Sequence, residues 1–534
     1  MPAVTQKIRA GSKANGTEDF SLVAVDKFIL ATRDSGYQGT ESAVAELVDN
    51  ALQAGARRIV VNVVADGDDG PHPLRITVQD DGSGMDRRIL RQALRFGGST
   101  RFNDRTGLGR YGMGLPNSSL SQARRVEVYS WQRGSSPWFS FLDVDEIAAG
   151  RITEVPDPKP ATFPEWFEKP KGQNGTLVVW TQCDRLDHRR PATIARKLHI
   201  PLGRIFRFFL WDNVEMVVNG IPIEPFDPLY VHQRSARKGG HLFGKPLEYE
   251  VEARAPNGEM TGVGKVTVTF SELPVHDWHN LSNDEKRIRG VTNGAGVSVV
   301  RADREIDYGW FFMGGKRREN YDDWWRCEIR FDPILDEAFG ITHTKQQIRP
   351  QDYLLEILSP DLEEQAKALN GRVRQAHVQL RSTERTVAIE RLASERDELL
   401  KPLPSPPSSA KNLALIEKLA RHHPTLREAA LSENGSMQYR IIQDQMKDTS
   451  FFSFAVRDGL FVLILNPEHP FFRKVYKLLL DDDSKEGQAL RGQMDLLLLS
   501  AARAEAGAAK DNQRDAMQQF RRTWSDNLAT FLSK

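Results

Sequence analysis

Between residues 46 and 114 three short polar or glycine-rich clusters sit at the ends of apolar segments, and this arrangement constrains the fold more than any other feature of the chain. From Ser42 to Gln53 the apolar residues Val44, Ala45, Leu47, Val48, Ala51 and Leu52 recur at helical spacing, and Gly55 ends the run. RRIVVNVV and LRITVQD then read as two strands around the turn-forming GDDGPHP. A long glycine-rich stretch, GGSTRFNDRTGLGRYGMGL, leads into a helix from Asn117 and a third strand, VEVYSW. Helices alternating with short strands predict an α/β class.

Each cluster has a chemical reading of its own. Glu46 and Asn50 lie four apart, on one helix face, where a carboxylate can activate water and an amide oxygen can hold a divalent cation; a solvated helix face has the same spacing. Asp80-Asp81-Gly82-Ser83-Gly84-Met85 ends a strand, so a carboxylate can accept from an exocyclic amine while glycines let the backbone approach a planar ring; an acidic turn reads the same way. Gly107-Leu-Gly109-Arg-Tyr-Gly112-Met113-Gly114 precedes a helix and can offer backbone N–H groups to a polyphosphate. No Walker A loop occurs, and the glycines do not follow the first strand as a dinucleotide fingerprint requires.

Taken together, in this order and spacing, the clusters resemble the GHKL superfamily of ATPases, which includes DNA gyrase B, the large heat-shock chaperone, histidine kinases and MutL. Glu46 and Asn50 match its first box, Asp80, Gly82 and Gly84 its second, Gly109, Gly112 and Gly114 its third, and Gly175-Thr176 its short fourth. The resemblance implies a Bergerat-type α/β sandwich that binds ATP with Mg²⁺. It implies that Asp80 binds the adenine amine with Gly82, Gly84 and Met85 around the ring, that Asn50 holds Mg²⁺, and that Glu46 is the general base. It further implies a lid over the phosphates from Phe96 to Leu115, with Gly109, Gly112, Met113 and Gly114 on the nucleotide and Thr176 supporting Asp80.

Only about forty residues, none of them His, precede the Glu box, which is poor for a histidine kinase. Gly340-Ile-Thr-His-Thr-Lys345 follows the strand-like CEIRFDP where a transducer loop of the gyrase, MutL and chaperone group is expected, and Lys345 is the candidate to reach the terminal phosphate. ELVDNALQAGA, GLGRYGMGL and GAGVSVVRADREIDYG look most like MORC (microrchidia) and MutL proteins, over residues 20–355. Gln53 stands where many relatives have Asp, and Leu115-Pro116 where MORC proteins carry an aromatic residue and Lys.

The expected organisation is a polar arm (1–20), the ATP-binding domain (21–212), a transducer-like α/β domain (213–358), a long helix or coiled coil (359–401), a Pro/Ser linker (402–410) and an α-rich C-terminal module (411–534) with one strand candidate at GLFVLIL. Trp324-Trp325, Phe451-Phe452, Phe471-Phe472 and Trp524 read as core. Lys plus Arg (73) balances Asp plus Glu (72), so only local basic patches can attract nucleic acid. The candidates are Arg189, Arg190, Arg196, Lys197, Arg204 and Arg207; Arg234, Arg237 and Lys238; and Lys316, Arg317 and Arg318. Two cysteines, Cys183 and Cys327, exclude a disulfide framework and a four-cysteine zinc module. No apolar run reaches the ~20 residues of a membrane helix, which predicts a cytoplasmic protein. The expected function is a Mg²⁺-dependent ATPase working as a homodimeric clamp on duplex DNA. The alternatives are a chaperone-like or partner-directed ATPase and a nucleotide-gated scaffold.

Overall fold

The computed structural model describes residues 24–37, 39–65, 74–98, 112–167, 174–255, 257–292, 294–341, 347–404, 410–423, 426, 437–446, 449–457, 459–482 and 484–533. The polar arm, Gly109 and most of the lid, Lys345 with its loop, and part of the Pro/Ser linker lie outside these residues. The chain forms two compact units, Met1–Pro274 with Leu281–Leu369, and Val275–Asn280 with Asn370–Lys534.

The first unit contains two sheets. One is built from β1 (Arg58–Ala65), β2 (Leu74–Asp80), β3 (Arg125–Trp131), β4 (Trp138–Asp143), β5 (Lys159–Pro160), β6 (Gly175–Thr181), β7 (Glu215–Val218) and β8 (Ile221–Pro222) in the order β5-β4-β3-β6-β2-β1-β7-β8. Its strands alternate in the way a one-sided core demands: Ile59, Val61 and Val63 of β1 are buried while Arg58 and Ala65 are exposed. Against that face lie α1 (Val25–Ser35), α2 (Thr40–Gln53), α4 (Gly114–Gln122) and the helix Pro191–Ile205, whose apolar stripes supply Ile29, Val44, Leu47, Val48, Leu120 and Leu198 to one core. The short α3 (Arg87–Ala93), N-capped by Asp86, follows β2. This is the α/β sandwich expected, but it does not end at residue 212: β7 pairs in parallel with β1, and β8 with β7, so the sheet runs on to Pro222.

The second sheet has the order β12-β11-β13-β10-β9, from β9 (His241–Arg254), β10 (Met260–Glu272), β11 (Val297–Arg301), β12 (Arg304–Gly309) and β13 (Trp325–Phe331). Leu354, Leu358, Leu362, Ala366 and Leu369 form a continuous stripe on the long helix Asp352–Arg396 and pack in this sheet's core with Val268, Val299 and Ile329. The helix begins at Asp352, seven residues before the expected 359, and the change from one unit to the other falls within it, after Leu369, instead of at the Pro/Ser linker. Trp324 and Trp325 are core, as expected.

In the second unit β14 (Gln438–Gln443), β15 (Phe452–Arg457) and β16 (Leu460–Leu465) form a sheet with β16 central, every residue of it buried. The strand expected at GLFVLIL therefore has a parallel and an antiparallel partner, neither of them predicted. Helices Lys485–Ala506 and Asp511–Leu532 complete the unit. Phe451, Phe452, Phe471 and Phe472 are buried, whereas Trp524 is 38% exposed. No described helix is long and apolar enough to cross a membrane.

Candidate nucleotide site

Three elements converge on one place. Helix α2 presents Glu46 (4% exposed) and the half-buried Asn50 and Gln53, spaced so that all three share a face. The helix end meets the turn after β2: Ser83 N–H donates to the Ala54 carbonyl at 2.9 Å, and a Cβ on Gly82 would lie 2.8 Å from that of Ala54. On the other side α4 starts against Glu46, for a Cβ on Gly114 would come within 2.1 Å of the Glu46 carboxylate. Glycine is needed there because backbone and carboxylate touch. The helix accordingly begins at Gly114, three residues before the predicted Asn117.

The two acidic residues after β2 have separate jobs. Asp81 Oδ1 accepts the backbone N–H groups of Arg57 and Arg58 at 2.8 Å each, and so ties β1 to the turn. Asp80 is buried, and its carboxylate accepts the Gly82 N–H at 2.8 Å. Burial pushes the Asp80 carboxyl up to about 6, against the backbone N–H groups of Gly82 and Thr176 that favour its charge. Carboxylate oxygens accept more than two hydrogen bonds, so acceptor capacity remains for an amine.

Behind Asp80, β2, β6 and β3 lie side by side, and Asp80 is registered opposite Thr176. Thr176 bonds Asp80 through its backbone N–H, and its hydroxyl meets Ser130 Oγ at 3.0 Å. Ser130 is the residue the sequence reading missed. Its hydroxyl accepts the Met85 N–H at 2.8 Å and lies 3.1 Å from the Gly175 carbonyl, fixing Met85 and the β6 start together. Gly84 has φ +67°, and a Cβ there would fall 2.1 Å from the Trp131 carbonyl, which excludes other residues. At the lid's ends the Gly97 N–H donates to the Gly112 carbonyl at 3.1 Å, with Met113 next to it before α4.

The donor set fits a nucleotide carrying a cation. Gln53 Nε2 is buried and meets no partner among the described residues, so this donor on the same helix face as Glu46 and Asn50 can serve a ligand. Among the described residues no group of three His, Cys, Asp or Glu side chains could hold a metal by itself. A cation at Asn50 would therefore need phosphate oxygens to complete its shell. Glu46 is bracketed by Gly114 and by Tyr37, whose hydroxyl is pushed well up by burial and by hydrogen bonding to Glu46.

The proposed basic patches are thinned by the fold. Arg207 is fully buried and pairs with Glu305 (3.2 Å) and Glu328 (2.6 Å); Arg204 pairs with Glu305 at 2.6 Å. Lys316 is buried on Asp322 at 2.6 Å. Arg207 and Lys316 are therefore not surface cations, and Arg204 is half-buried. Arg189, Arg190, Arg196 and Lys197, with Arg234, Lys238, Arg317 and Arg318, are exposed, and Arg237 is half-buried.

Residues 37–176 match the family described as histidine kinase-, DNA gyrase B-, and HSP90-like ATPase. The chain is 34% identical over 122 residues to protein MICRORCHIDIA 6 of Arabidopsis thaliana, covering 22% of this chain and 18% of that protein. It is 35% identical over 133 residues to the DNA mismatch repair protein MutL of Caulobacter vibrioides (23% and 19%), and 33% over 125 to MutL of Halobacterium salinarum (23% and 18%). The chain thus spans about a fifth of the length of the curated relatives it matches.

Proposed function

We propose, from a chain whose residues 37–176 belong to the GHKL ATPases of MORC and MutL type, that the protein hydrolyses ATP and uses nucleotide-dependent closure of a homodimer as a clamp on duplex DNA. The observation that carries the reading is the convergence of the α2 face, the turn after β2 and the start of α4, with Gly82 set against Ala54 and Gly114 against Glu46. Asp80 accepts the adenine amine, and Gly82, Gly84 and Met85 shape the ring pocket. Thr176 and Ser130 hold that wall. Asn50 would hold Mg²⁺, and the cation would supply neutralisation of charge on the phosphates. Glu46, steadied by the Tyr37 hydroxyl, takes a proton from the attacking water. Gly112, Met113 and Gly114 give backbone donors at a helix start, and Gly109 and Lys345, outside the described residues, are the further candidates to meet the phosphates.

The DNA-directed part is supported by the MutL relatives, named as DNA mismatch repair proteins, and by the exposed Arg189, Arg190, Arg196 and Lys197. The test is Mg²⁺-dependent phosphate release with and without duplex DNA at two salt concentrations. Glu46→Ala should bind ATP yet lose turnover by ~100-fold or more. Stimulation by DNA that fades as salt rises is the expected result. Wild-type turnover in Glu46→Ala overturns the base assignment, DNA-indifferent turnover moves the clamp to a protein client, and no turnover above that variant leaves a nucleotide-gated scaffold.

A further inference from the structure

We propose that Arg304, carried by the second sheet, is the positioning residue for the Glu46 base, so that hydrolysis depends on how β12 is seated on helix α2. The proposal rests on the ATPase reading above. The β11–β12 hairpin turns through Ala302 and Asp303, both with positive φ (46° and 62°), and this tight turn fixes Arg304 as the first residue of β12. From there the guanidinium Nε lies 2.8 Å from both carboxylate oxygens of Asp49, with side-chain exposures of 5% and 0%. Asp49 follows Glu46 by three residues on α2, and residues at that spacing are neighbours on the helix surface. Gripping Asp49 therefore fixes the rotation of the turn that carries Glu46.

The contact is also electrostatic. Burial works against the Arg304 charge, but Asp49 first and Glu46 second outweigh it and hold the guanidinium above its ordinary value. Glu46 thus faces the Tyr37 hydroxyl, the Gly114 backbone and the Arg304 cation together. The seat itself is rigid. Glu305, next along β12, is locked by Ser298 Oγ at 2.6 Å and by Arg204 and Arg207. Three residues beyond Arg304, Asp307 Oδ2 accepts the Ile348 N–H at 3.0 Å, so the same strand also anchors the chain just after the candidate Lys345. One strand accordingly joins the base helix to the segment that leads out of the transducer-like loop.

The experiment compares Arg304→Gln, Arg304→Lys and the double variant Arg304→Gln/Asp49→Asn in the full chain. It measures kcat and KM for Mg-ATP, affinity for a non-hydrolysable ATP analogue, and the thermal midpoint. Arg304→Gln should lose kcat by about tenfold or more while analogue affinity stays within about threefold. Arg304→Lys, which keeps the cation, should regain most of kcat. The double variant removes both charges, so it should regain the thermal midpoint without regaining kcat. Wild-type kcat in Arg304→Gln overturns the proposal, as does kcat returning with stability in the double variant, because both make the pair structural alone. Should Arg304→Gln fail to fold, the double variant carries the test. A wild-type protein that binds the analogue but turns over no faster than Glu46→Ala overturns the ATPase reading, and this inference falls with it.

Discussion

Two buried carboxylates of the same compact unit, one on helix α2 and one at the end of β2, are treated in opposite ways. Asp49, 0% exposed, has a guanidinium brought to it by a strand from another sheet. Asp80, 9% exposed, is left with backbone donors and, among the described residues, no cation that offsets its burial. A protein that supplies a counter-charge is fixing a structure, whereas one that withholds it keeps an acceptor ready for something else. Under the proposed function, one physical criterion separates the pocket wall from the positioning contact.

The largest effect should come from neutralising each carboxylate in turn. Asp80→Asn puts an amide donor where the adenine amine needs an acceptor, so ATP affinity should fall by ~10- to 100-fold by calorimetry. The same variant removes a charge that burial disfavours. Its apo form should be more stable at pH 8, by about 1–2 kcal/mol in denaturant unfolding. Asp49→Asn should move stability the other way, by about 3–5 kcal/mol, because a buried cation loses its carboxylate. If both variants shift stability in the same direction, the contrast fails.

A middle-sized effect follows from the Asp80 carboxyl at about 6 against an ordinary 3.8. A folded value above the unfolded one means that the folded state binds the extra proton between those values. Stability from this group is therefore full below 3.8 and is lost as pH rises through 6. Ligand binding has the opposite sense, since the ionised carboxylate is the stronger acceptor for an amine. Adenosine, which has no phosphate to titrate, should bind more weakly as pH falls from 7 to 5. A flat profile in a competition assay would mean that Asp80 does not meet the base.

What the sequence made legible here is local. Helix α2, the strands β1 and β2, and the glycine clusters announce themselves because periodicity and turn residues act over a few positions. Ser130 was hidden because nothing distinguishes a hydroxyl inside VEVYSW until β3 is laid beside β6. Arg304 and Asp49 are 255 residues apart, and no local signal couples them. Arg207 and Lys316 were read as surface because a sequence displays charge but not the carboxylates that fold over it. The same blindness applied to β14 and β15: short segments become strands once β16 offers both its edges.

The smallest effect belongs to an ion pair that looks, by length alone, like the Arg304–Asp49 contact. Arg57 Nη1 lies 2.9 Å from Asp212, but the two side chains are 65% and 74% exposed. Water screens the attraction, and ordering two long side chains costs nearly what the contact returns. Arg57→Ala should change stability by less than about 0.5 kcal/mol and leave kcat at the wild-type value. Measured beside Asp49→Asn, it separates distance from burial. Were the exposed pair to matter as much as the buried one, length would be the controlling variable, and the argument that desolvation gives Arg304 its hold on helix α2 would lose its basis.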